Sequence, residues 1–230
     1  LRYENVAWYE DGAVRILDRR IYPVRVEYVT CRRHEEVAQA IADMVTQSGG
    51  PYLAAAMGMA LAGYEARDLP EADLLAHLEQ AAYHLSHARP TTMAKMIRVT
   101  ERAMNAARAA LAAGKTGLEL VEALRENAVN QINENYIRYT AVGKLLADKI
   151  PQNGTIMTQC FAETVIGTML RECRERGNAV KVICPETRPY FQGARLTASV
   201  ACDMGFDVTV ISDNMPGYTM KEKHVDLFTS

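Results

Sequence analysis

The sequence predicts an α/β protein in two parts: a small N-terminal β-sheet with a helical region over residues 1–150, then a parallel-sheet domain over residues 151–230. Three observations predict it. Residues 1–31 show the two-residue period of strands around a turn signal, Asp11-Gly12. Residues 34–150 carry apolar stripes at helical spacing. After Pro151-Gln152-Asn153-Gly154, the clearest boundary in the chain, short apolar runs alternate with helix-length segments. That spacing requires crossovers rather than hairpins, and hence a parallel sheet.

Each element follows from its residues. Val6–Tyr9 and Ala13–Leu17 flank the Asp11-Gly12 turn, and Val24, Val26 and Tyr28 alternate with Arg25 and Glu27 as a half-buried strand would. Val37, Ile41 and Met44 lie on one face of a first helix, which Ser48-Gly49-Gly50-Pro51 breaks. Leu53–Ala62 is a helix of small residues that permits close backbone packing. Pro70 opens a third helix with a stripe of Leu74, Leu75, Leu78 and Leu85, and Arg89-Pro90-Thr91 interrupts the pattern. A fourth helix runs from about Thr92 to Ala113 and ends at Gly114. Thr116 with Glu119 reads as a capping box for a helix across Leu118–Leu124, and a separate long helix passes through Tyr136, Val142 and Leu145. In the second part, Thr155–Gln159, Val180–Cys184, Val208–Ser212 and Val225–Thr229 are the strands. The helix between the first two turns Val165, Ile166, Met169, Leu170 and Cys173 inward and closes at Gly177.

Composition excludes several classes. Hydrophobic residues make up 49% of the 230, and the net charge is −2 with no polybasic run, so neither nucleic acid nor a membrane surface is expected as a partner. The 5 cysteines (Cys31, Cys160, Cys173, Cys184, Cys202) are scattered singly, which argues for reduced thiols in the cytoplasm rather than a disulfide frame. No apolar stretch is long enough to span a bilayer, and Leu1-Arg2-Tyr3-Glu4-Asn5 has no signal-peptide character. No Walker motif or GxGxxG is present, which removes support for nucleotide chemistry and for a dinucleotide-dependent oxidoreductase. His84 and His87 are three apart on a helix, but two ligands without a third make no metal centre, and neither metal nor cofactor is expected.

In an open parallel sheet, ligands bind beyond the carboxyl ends of the strands. That rim would carry Cys160, then Pro185-Glu186-Thr187-Arg188, then Asp213-Asn214. Cys160 falls where a strand ends and a helix begins, a place where the helix N-terminus lowers a thiol pKa. Cys173, Cys184 and Cys202 fit ordinary structural roles, and Cys160 divides evenly between a buried thiol and a functional one. Asp213-Asn214 reads equally as a turn, Glu186 and Arg188 as a loop ion pair, and Gln192 and Arg195 as cover for the next helix. Ser48-Gly49-Gly50 reads either as a phosphate-cradling nest or as a plain turn.

At Glu186–Ala198 (ETRPYFQGARLTA), followed by Val210-Ile211-Ser212-Asp213-Asn214-Met215, the sequence resembles the methylthioribose-1-phosphate isomerase family. That family is related to ribose-1,5-bisphosphate isomerases and to the regulatory subunits of eukaryotic initiation factor 2B. Ile156-Met157-Thr158-Gln159-Cys160 looks like its strand ending in a catalytic cysteine, Ala88-Arg89-Pro90-Thr91 like its arginine-bearing turn, and Leu1–Leu17 like its N-terminal strands. The resemblance implies a Rossmann-like C-terminal domain, a homodimer and a sugar-phosphate substrate. It makes Cys160 the proton-transferring thiol of an aldose–ketose isomerisation. Arg89 and Gln192 would hold phosphate and sugar hydroxyls, and Ser48, Gly49 and Gly50 match its phosphate-binding Arg-Gly-Ala turn without the arginine. Around the thiol, Gln159 and Phe161-Ala162-Glu163 replace the family's usual His and Asn-Ala-Gly. Family members continue past the strand matching Val225–Thr229 to a catalytic aspartate, so the chain is expected to be incomplete at its C-terminus, a fragment or one of two pieces. Two functions compete: an isomerase acting on a C1-phosphorylated pentose such as 5-methylthioribose 1-phosphate, and a non-catalytic sugar-phosphate- or nucleotide-sensing assembly protein of the initiation factor 2B type.

Overall fold

A computed structural model describes residues 6–161 and 163–229, without the side chains of residues 163 and 164. It is an α/β structure in two compact units, Leu1–Asn133 and Glu134–Ser230. The division falls within one helix, and each unit has its own sheet.

The first unit opens with strands β1 (Ala7–Glu10), β2 (Ala13–Leu17) and β3 (Tyr28–Cys31) in antiparallel order β1-β2-β3. Asp11 and Gly12 both take positive φ (50° and 72°), as a two-residue hairpin requires. The third strand lies later than Val24, Val26 and Tyr28 suggested. Residues 18–25 are spent in turns, with Tyr22 N donating to the Asp18 carbonyl and Arg25 N to Ile21. Pairing begins only at Tyr28 opposite Leu17, leaving Val24 86% and Val26 63% exposed.

Helices α1 (His34–Ala42), α2 (Gly50–Glu65), α3 (Glu71–His87), α4 (Met93–Ala112) and α5 (Gly117–Ala147) follow, with a 3₁₀ turn at Pro90–Thr92. α2 is the centre of the unit and is buried along most of its length. Its small residues allow this: a Cβ added at Gly58 would come within 2.9 Å of Leu85. Met44 lies outside α1, with a positive φ of 59°. α4 closes at Gly114 (φ 77°), where Lys115 N reaches the Ala110 carbonyl. The two helices expected after Thr116 are one 31-residue helix, α5. Side-chain pairs one turn apart support its polar middle: Arg125 with Glu122, Gln131 with Asn127, and Arg138 with Glu134.

The second unit alternates β4 (Thr155–Thr158), α6 (Glu163–Glu175), β5 (Lys181–Pro185), α7 (Ala198–Asp203), β6 (Asp207–Ile211), α8 (Pro216–Glu222) and β7 (Leu227–Thr229). All pairings are parallel, in the order β6-β5-β4-β7. One face is a core of Ile156, Val182 and Cys184 against Ile166, Met169, Leu170 and Cys173 of α6 and Ala198 and Ala201 of α7. Met157, Ile183 and Ile211 cluster on the other. α6 ends at Gly177 (φ 67°), with Asn178 N on the Cys173 carbonyl, as its sequence implied. Successive strands step from β4 to β5 and β6 on one side, then β7 joins the other side of β4. The order therefore reverses at β4, and a crevice opens beyond its carboxyl end.

Candidate active site

Cys160 occupies that crevice position, two residues past β4. Its backbone is left-handed, with φ 55°, a conformation that costs a non-glycine residue about 1–2 kcal/mol. Two threonines hold it there. Cys160 N donates to Thr187 Oγ1 at 3.1 Å, and Thr197 Oγ1 donates to the Cys160 carbonyl at 2.6 Å. Thr187 Oγ1 in turn donates to the Pro185 carbonyl at 3.2 Å, tying the cysteine to the end of β5. Cys160 is half-buried, and Phe161, the next residue, is buried. Burial pushes the thiol pKa above the ordinary value, and a backbone hydrogen bond from Phe161 opposes this only in part. The lowered pKa expected from the helix start is not what the structure gives: desolvation wins, and Cys160 is a neutral thiol at pH 7.

The loop Glu186–Gln192 is fixed from both ends. The Asp213 carboxylate accepts from Thr187 N (2.8 Å) and Arg188 N (2.7 Å), which holds its pKa below the usual carboxylate range. Arg188 also pairs with Glu186, Nε to Oε1 at 2.8 Å. Gln192 is half-exposed and leads into a turn of π-helix, Gly193–Thr197. Gly193 is pressed onto β5: a Cβ there would lie 1.8 Å from the Pro185 carbonyl oxygen. Only glycine tolerates that approach, which sets the turn leading to Thr197 against the end of β5. Arg195 covers the loop from outside through Tyr190 O, with Nη2 at 2.6 Å.

The other predicted site residues meet in the first unit. Arg89 Nη1 reaches Met44 Sδ (2.8 Å) and the Thr46 carbonyl (3.4 Å), 43 residues back. The same segment receives Arg19, fully buried, whose Nη1 donates to the Gln47 carbonyl at 2.7 Å. Gly50 N closes the turn onto Gln47 O at 3.0 Å, Ser48 is left-handed (φ 57°), and Gly49 is the N-cap of α2. Thus Ser48, Gly49, Gly50 and Arg89 belong to one turn carrying two guanidinium groups at a helix N-terminus, a setting that favours an anion. Among the described residues, Thr46 Oγ1 and Gln47 Oε1 are buried there without a hydrogen-bond partner. Cys160 and Gln192 share the rim of the second unit.

Sequence reasoning missed Arg19 and Thr197, and it put Thr187 and Asp213 on the rim without the contacts they make there. Arg19 has no local signal, because its burial depends on residues 45–47. The two threonines were unremarkable in a loop and a helix start. Of the replacements around the thiol, Phe161 is described and buried, whereas Ala162 and the Glu163 side chain lie outside the described residues.

Known proteins bear directly on this arrangement. The sequence model of the "Initiation factor 2 subunit family" matches residues 47–228. The chain belongs to that family. Its similarity extends to proteins named methylthioribose-1-phosphate isomerase, from Thermotoga neapolitana (35% identical, 98% of this chain and 66% of the relative) and Chloroflexus aurantiacus (34%, 96% and 65%). The chain thus spans just under two thirds of the length of these relatives. Among solved structures, it is similar to the translation initiation factor eIF-2B subunit delta from A. fulgidus, with a TM-score of 0.79, 30% identity, and 97% of this chain and 66% of that one covered. It has the fold of 5-methylthioribose 1-phosphate isomerase from Pyrococcus horikoshii (TM-score 0.80, 23% identity, 100% and 67% covered). The resemblance read from ETRPYFQGARLTA and the strand before Cys160 is therefore a family membership, and the α/β fold expected of it is the fold observed. Among the described residues, no helix is long and apolar enough to cross a membrane.

Proposed function

We propose that the protein is an aldose–ketose isomerase acting on a C1-phosphorylated pentose of the 5-methylthioribose 1-phosphate kind. The observation that carries the reading is the neutral Cys160 thiol, pinned through both its backbone groups where the strand order reverses. A sugar phosphorylated at C1 cannot open by losing its anomeric hydroxyl proton. The ring oxygen must be protonated as the C1–ring oxygen bond breaks, and a proton must then pass from C2 to C1. A neutral thiol is a suitable acid for the first event, and its thiolate is restored to the thiol by the proton that the C2 hydroxyl gives up as C2 becomes the ketone. Gln192 holds sugar hydroxyls. Arg89 and the Ser48–Gly50 turn bind the phosphate, which stays attached throughout, and the partnerless Thr46 hydroxyl, a donor, supports that assignment. Asp213 is not the second acid/base: both its oxygens accept loop amides. The protein works as a homodimer in the cytoplasm and needs no cofactor.

The relatives named methylthioribose-1-phosphate isomerase support this reading. A second reading, a non-catalytic sugar-phosphate- or nucleotide-sensing assembly protein, draws on the 30% identity to an initiation factor subunit and on the buried Phe161 that follows the cysteine. Carbon NMR of C1-phosphorylated pentoses incubated with the protein separates them. A ketose signal that disappears in Cys160→Ser supports the isomerase; tight binding with no ketose supports the sensor. Sedimentation in the same buffer reads the oligomeric state.

A further inference from the structure

Away from both groups of site residues, three helices of the first unit bring imidazoles around one carboxylate. His34 opens α1, Glu65 ends α2, and His77 and His84 lie on α3. Glu65 Oε2 is 2.8 Å from His34 Nδ1 and 3.2 Å from His77 Nε2. Its other oxygen accepts the His34 backbone N–H at 2.6 Å, which aims Oε2 at the two rings. On its far side, His34 Nε2 meets His84 Nδ1 at 3.3 Å. His87, by contrast, pairs with Tyr83 and Ser86, so His84 and His87 do not act together.

We propose that His34 Nδ1, Glu65 Oε2 and His77 Nε2 form a site for one zinc-class divalent transition ion. All three atoms lie within 4.8 Å of one another. Ligands about 2.0–2.1 Å from a tetrahedral ion stand roughly 3.3 Å apart, so closing on one opens the 2.8 Å contact slightly and leaves the 3.2 Å one nearly unchanged. Two imidazoles with one carboxylate are a zinc-type donor set, and such a set disfavours magnesium or calcium. His84 has the place of an outer partner: by accepting from His34 Nε2–H it leaves the His34 Nδ1 lone pair for the ion. Glu35 is the other carboxylate near His34, at 3.5 Å, but the Arg33 guanidinium engages both its oxygens (2.8 and 3.2 Å). Glu65 is therefore the ligand. The His34 side chain is 2% exposed and that of His77 24%, so the site has a rigid inner wall and an entry side.

The test uses the whole chain, stripped with chelator and titrated with Zn²⁺, Co²⁺ or Mg²⁺. The expected result is one Zn²⁺ or Co²⁺ retained per chain, a raised thermal midpoint, and no effect of Mg²⁺. His77→Gln should weaken binding at least ~100-fold, and His84→Gln by about 10–100-fold, the cost of losing an outer partner. His87→Gln should leave it unchanged. No retained ion, or equal retention by the His77 and His87 variants, overturns the proposal. Proton NMR of the unaltered Co²⁺-loaded chain guards against a misfolded variant. Paramagnetically shifted His34 and His77 ring signals support the site, and unshifted ones overturn it.

Discussion

At the rim of the parallel sheet, Thr197 is fully buried and its hydroxyl grips the Cys160 carbonyl at 2.6 Å. At the turn before α2, Thr46 is equally buried, yet among the described residues its hydroxyl meets no partner. The same side chain, buried to the same extent, is treated in opposite ways. A satisfied polar group contributes to one geometry; a partnerless one costs about 1–3 kcal/mol until something binds it. The rim is thus organised around its own atoms, which fits the proton-transferring role proposed for Cys160. The turn keeps a hydroxyl in reserve, which fits the phosphate-binding role proposed for it.

Two glycine substitutions put this difference under the greatest stress. Alanine at Gly193 places a methyl 1.8 Å from the Pro185 carbonyl oxygen, which the β5–β6 ladder prevents from moving. Gly193→Ala should lower stability by about 3 kcal/mol or more in urea unfolding and abolish turnover. At Gly50 the clash is also 1.8 Å, but with the Thr46 hydroxyl, a side chain that can be cut away. Gly50→Ala should cost about 1–2 kcal/mol, and most of that should return in the Gly50→Ala/Thr46→Ala double variant. If the Gly50 loss is not recovered, the turn is as rigid as the rim and the contrast fails.

A smaller effect is expected from Thr197→Val: about 1 kcal/mol of stability, with kcat reduced more than KM, because the thiol loses its alignment rather than the substrate its contacts. Smallest is the acid titration of Asp213. Its folded pKa lies below the ordinary 3.8, so its hold on the Thr187 and Arg188 amides is complete above that value and lost as pH falls through the lower one. Proton–nitrogen NMR should show both amides shifting with a shared midpoint below 3.8. A midpoint at or above it would mean the loop is not pinned in solution.

The parallel sheet was legible because its strands are short Val and Ile runs between helix-length segments, and Cys160 was placed by counting to the end of the first. The third N-terminal strand was misplaced because alternation says nothing about which face has a partner: Val24 and Val26 have none, and turns take up the chain up to Arg25. α5 was expected as two helices because the apolar pattern lapses between them, and the polar pairs that hold its middle exist only once the helix forms. At the site, Cys160 and Arg89 could be singled out by position in a motif. Thr187, Thr197 and Arg19 could not, since their importance lies in backbone atoms 27, 37 and 28 residues away. The histidine cluster has the same character, with 31 residues between His34 and Glu65.

The thiols offer one practical consequence. Cys31 and Cys184 are buried with pKa values pushed up to about 11, and Cys173 is buried and raised as well. Cys160 is half-buried and raised by burial too. A maleimide dye at neutral pH therefore reacts first at exposed Cys202, near the end of α7, which gives the folded chain a single handle for fluorescence work.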